Sequence, residues 1–116
     1  MKIKDNSVDL TALAPEMQPV RKHADEIFES FLGREAIITA TTDGKHSPGS
    51  WHYCGYAMDF RTWVDDEGTQ CDDTVRHQIA TAFRIKLANY SAYYDVIEHS
   101  THIHVEYDYF KAGKIK

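Results

Sequence analysis

The chain has 116 residues, 42% of them hydrophobic, enough for one modest core and therefore a single domain over residues 1–116. Its 18 acidic and 13 basic side chains give a net charge of −5 with no basic stripe, which argues against binding nucleic acid by phosphate neutralisation. No apolar run approaches the ~20 residues of a membrane span, and Met1-Lys2-Ile3-Lys4-Asp5 lacks the apolar stretch of a secretory signal, so synthesis is expected in a cytoplasm.

Residues 1–13 show no clear period and read as an arm or short edge segment. Over residues 15–32, Met17, Val20, Ala24, Ile27, Phe28 and Phe31 recur at three- and four-residue intervals, which predicts an amphipathic helix with Gly33 just past its end. Residues 36–41 have strand composition, 43–49 must form a loop around Gly44, Pro48 and Gly49, and 56–64 read as a second strand closed by the acidic turn Asp65-Asp66-Glu67-Gly68. Asp72 or Asp73 can cap a second helix running to about Asn89, its inward face marked by Val75, Ile79, Ala82, Phe83 and the stem of Lys86. Beyond Ser91 the period falls to two, so 93–98 and 101–109 predict paired strands joined near His99-Ser100. The expectation is an α+β domain with a small antiparallel or mixed sheet and helices on one face.

Two short segments concentrate chemistry: Ser-Trp-His-Tyr-Cys-Gly-Tyr-Ala-Met-Asp at 50–59 and Glu-His-Ser-Thr-His-Ile-His at 98–104. They supply His52, Asp59, Glu98, His102 and His104. A catalytic zinc ion takes two or three imidazoles and a carboxylate and keeps one position open for water, and a hydrolase built on it needs a further carboxylate to move protons. Side chains alternate along a strand, so Ile103, Val105, Tyr107 and Tyr109 should face one way and His102, His104, Glu106 and Asp108 the other. His52 and Asp59 stand an odd seven residues apart and would face opposite ways on one regular strand. A bend at Gly55, the residue able to take unusual backbone angles, would bring them together. Cys54 and Cys71 form no CxxC pair and read as free thiols.

Ser50-x-His52-x-x-Gly55-x-Ala57-x-Asp59 followed by Glu98-x-x-x-His102-x-His104 resembles the zinc D-alanyl-D-alanine and L-alanyl-D-glutamate peptidases, phage endolysins among them. The spacing is particularly similar to that of the Hedgehog signalling domain, which shares their fold. The resemblance spans residues 37–107. It implies one zinc ion per chain held by His52, Asp59 and His104, with Glu98 as catalytic acid/base and His102 beside the metal. The implied fold is a small antiparallel sheet flanked by helices. The chain departs from the family where Tyr56 replaces an arginine of the first motif; Lys45, Arg34 and Arg61 are possible substitutes for gripping a substrate carboxylate. Ser50 is expected beside the substrate as a turn residue rather than a nucleophile, since no base is placed to activate it.

The resulting expectation is a monomeric zinc peptidase cutting peptidoglycan stem peptides or other D-amino-acid-containing peptides. It would act at the cell wall after release through a separate lysis pore, or be carried in a virion. Two rivals are a zinc-stabilised binding or structural module that no longer catalyses, and a cytoplasmic D-alanyl-D-alanine dipeptidase.

Overall fold

The computed structural model describes residues 1–11, 13–41 and 55–108. In chain order the elements are β1 (Lys2–Ile3), a 3₁₀ turn (Pro15–Met17), α1 (Gln18–Leu32), β2 (Ile37–Ala40), β3 (Ala57–Arg61), α2 (Asp73–Ala88), β4 (Tyr94–Glu98) and β5 (His102–Tyr107). The loop expected over 43–49 and the strand end expected at Tyr109 lie outside the described residues.

The strands form one sheet in the order β1-β2-β3-β5-β4. Every pair is antiparallel except β1 with β2, so the sheet is mixed. The two residues of β1 are too few to carry a hydrophobic period, which is why the sequence indicates only an arm there. Gly33 ends α1 in the left-handed region, φ 67°, with its N–H donating to the Glu29 carbonyl. Asp65 closes the acidic turn by accepting from the N–H groups of Glu67 and Thr69 at 2.9 and 3.1 Å, and Asp66 pairs with Arg34. Those carboxylates thus have structural work in the turn.

One face of the sheet carries the core. Ile38, Met58, Phe60, Val96, Ile103 and Val105 pack there against Val20, Ala24, Ile27 and Phe28 of α1 and Ile79, Ala80, Phe83 and Leu87 of α2. Phe28, Phe60 and Phe83 form a three-ring cluster with centroids 5.4–6.1 Å apart, and such pairs add about 0.5–1.5 kcal/mol each beyond area burial. Val75 and Ala82 pack half-buried against the core as expected, and Arg76 is buried as well, its guanidinium engaging Asp73 and the Cys71 carbonyl. His23 of α1 is largely enclosed, with its Nε2 2.7 Å from the Tyr90 hydroxyl. Among the described residues no helix is long and apolar enough to cross a membrane.

Tyr94 ties the end of the sheet to the start of the first helical segment, its hydroxyl donating to the Glu16 carbonyl at 2.5 Å. Burial, with the neighbouring charges of Tyr107, Glu16 and Tyr90, pushes its pKa up to about 12. A phenol whose folded pKa is raised holds its proton while the unfolded chain loses it. Stability from this group is therefore complete below about pH 10 and disappears as pH rises through 12. Urea denaturation from pH 9 to 12 should show a falling midpoint in the wild type and a shallower fall in Tyr94→Phe. Identical slopes would show that Tyr94 is not linked to folding.

Candidate metal and substrate site

β3 and β5 lie antiparallel with Asp59 directly opposite His104 and Arg61 opposite His102. Residues opposite each other on neighbouring strands share a face, so all four side chains emerge on the face turned away from the helices. This bears out the alternation read along the last strand: Ile103, Val105 and Tyr107 are buried, whereas His102, His104 and Glu106 are partly exposed.

His104 is the centre of the group. Its Nδ1 lies 2.7 Å from Asp59 Oδ1, and its Nε2 lies 3.5 Å from Glu106 Oε1. The three side chains are only 12–15% exposed. Burial alone would lower the His104 pKa, but hydrogen bonds to Asp59 and Glu106 outweigh it and push it up to about 9. The pocket thus favours positive charge at this ring, and a cation taken up there would displace the ring proton.

His102 stands two residues earlier on the same face. Its Nδ1 is 3.0 Å from the Thr101 hydroxyl, and its ring stacks on His99 with centroids 4.5 Å apart. His99 also approaches His104 edge-on at 6.4 Å, so the turn between β4 and β5 folds its imidazole toward the site.

A cleft of about 250 Å³ opens beside Asp59 and His102, with Lys4, Arg61 and Trp63 in its wall. The Arg61 guanidinium lies 3.7 Å from the centre of the Trp63 ring. Stacking occupies the face of that guanidinium and leaves its in-plane N–H donors for a carboxylate. A larger hollow of about 450 Å³ lies elsewhere, between Asp25, Glu29, Arg34 and Glu35, and contains no imidazole.

Glu98 is not brought to this group. It is the last residue of β4 and pairs with Ile103, so its side chain leaves the sheet on the helix side. There its Oε1 is 3.1 Å from His77 Nδ1 and its Oε2 is 3.9 Å from Arg76 Nε. Neither partner is indicated by sequence, because α2 reads as an ordinary amphipathic helix. His52, Ser50 and Lys45 lie outside the described residues, as do His46, Trp51, Tyr53 and Cys54. Gly55 is described, and its φ of 76° is the left-handed bend that its position before Asp59 called for. Among the described residues no set of three or more His, Cys, Asp or Glu side chains converges as a metal site.

Compared with protein-family models, curated proteins and solved structures, the chain matches none.

Proposed function

We propose that the chain is a zinc peptidase of peptidoglycan stem peptides, of the D-Ala-D-Ala carboxypeptidase or L-Ala-D-Glu endopeptidase type. The observation that carries this reading is the Asp59–His104 pair, a carboxylate oxygen and an imidazole nitrogen 2.7 Å apart on the open sheet face beside a cleft. One oxygen and one nitrogen donor of these types suit zinc. Asp59 and His104 would hold the ion, with His52 as the third ligand that the motif resemblance implies. When bound, zinc supplies a Lewis acid and a water of lowered pKa.

The chain's own residues divide the remaining work. His102, in the wall of the cleft, would donate a hydrogen bond to the oxygen of a substrate carbonyl, where preorganised donors matter most as charge develops. Arg61 and Lys4 offer cationic partners to a substrate carboxylate in the cleft. Arg34, the other candidate among the described residues, is engaged with Asp66. The resemblance gives Glu98 the role of carrying a proton to the leaving amine, which from the helix side it would fill only by leaving His77 and Arg76.

A second reading is a zinc-stabilised module without catalysis. It is favoured by the engagement of Glu98 with His77 and Arg76 on the opposite face. Incubation of purified protein with defined stem peptides, followed by mass spectrometry, separates the two. The peptidase reading expects cleavage that stops with chelator and returns with added zinc. Zinc-loaded protein that leaves every peptide intact would rule it out in favour of the second reading.

A further inference from the structure

The face that carries His104 contains an acid for which neither motif accounts. Glu106 lies two residues beyond His104 on β5, on the same side of the strand. Its side chain is only 12% exposed, and its Oε1 reaches to 3.5 Å from His104 Nε2. Across β4 its register partner is Asp95, another carboxylate on the same face. Two acids side by side on neighbouring strands repel each other, and an enclosed carboxylate is costly without a donor or positive partner. The ring of His104 is the group that offsets both costs for Glu106.

Resting on the zinc reading above, we infer that Glu106 is a positioning residue that holds His104 by its Nε2–H and thereby presents Nδ1 beside Asp59. An imidazole has two nitrogens, and a metal ligand must offer a bare one. A carboxylate at Nε2 keeps the proton there, fixes the ring's rotation and raises the basicity of Nδ1, the same side of the ring that meets Asp59 Oδ1. The three side chains then form a line from Glu106 through His104 to Asp59, with the two acids dividing the ring between them.

The test uses zinc itself, titrated against a chromophoric chelator, on the full chain of wild type, Glu106→Gln and Glu106→Ala. Loss of an outer carboxylate of this kind typically costs about 10–100-fold in metal affinity. Glu106→Ala should show a loss in that range and Glu106→Gln, which keeps an acceptor oxygen, a smaller one. Wild-type affinity in Glu106→Ala overturns the inference and leaves the zinc reading standing. Failure of the wild type to bind zinc overturns both. A second measurement needs no variant: nitrogen-15 spectra of the zinc-loaded wild type should show His104 protonated at Nε2 and bare at Nδ1. The opposite pattern contradicts the assignment.

Discussion

If Glu98 leaves His77 and Arg76 to carry the proton that the resemblance assigns to it, replacing it with glutamine or alanine lowers turnover of a stem peptide by about 10²–10⁴-fold, the usual contribution of a proton carrier, while zinc stays bound. Retained zinc matters to the interpretation because Glu98 is no metal ligand in this account. The same substitutions also remove a partner from Arg76, which is only 6% exposed, and from His77 on α2. A guanidinium that loses one of its acids in an enclosed place destabilises the fold. Glu98→Ala should therefore lower the melting temperature as well, and Glu98→Gln should lower it less. The two effects distinguish two roles. Lost turnover in Glu98→Gln with near-native melting assigns Glu98 to proton transfer. Unchanged turnover with a lowered melting temperature would make it a tether between β4 and α2.

Asp59→Ala and His104→Ala should each take bound zinc from one equivalent per chain to none, as equilibrium dialysis with metal analysis would measure. The consequence extends to stability, because a metal bound to the native state alone stabilises it by mass action. At free zinc 1,000 times the dissociation constant that amounts to about 4 kcal/mol. Wild-type protein should thus melt markedly higher with zinc than with chelator, and both variants should melt at the same temperature in either. His104→Ala carries a further cost, since Asp59 and Glu106 lose the ring that separates their charges. Retention of stoichiometric zinc by either variant would overturn its place among the ligands.

Much of the architecture is legible in the residue pattern. The three- and four-residue spacing in α1 and the change to a two-residue period after Ser91 locate the long elements, and Gly33 and Gly55 mark positions where left-handed backbone is found. The partition of β5 into an apolar and a polar face follows from alternation alone, and it is what sets His104 on the same side as Asp59. Other features depend on pairing, to which local pattern is blind. Which face Glu98 occupies is decided by the turn at residues 99–101, where the His99 N–H donates to the His102 carbonyl and places Glu98 opposite Ile103. Motif spacing places Glu98 near the histidines along the chain but does not determine the side of the sheet. The inward turn of Arg76 has a similar origin, since a long side chain can bury its stem while its head finds Asp73 and Glu98. Glu106 could have been singled out from sequence as the acid sharing a face with His104, but only the β3–β5 register shows that it and Asp59 flank the same ring.

X-ray absorption at the zinc edge of the loaded, purified chain tests the proposed ligand set most directly. The account predicts one zinc per chain, coordinated by two imidazole nitrogens and a carboxylate oxygen at about 2.0–2.2 Å, with no sulfur at about 2.3 Å. A single imidazole, a sulfur neighbour, or no bound zinc would contradict it.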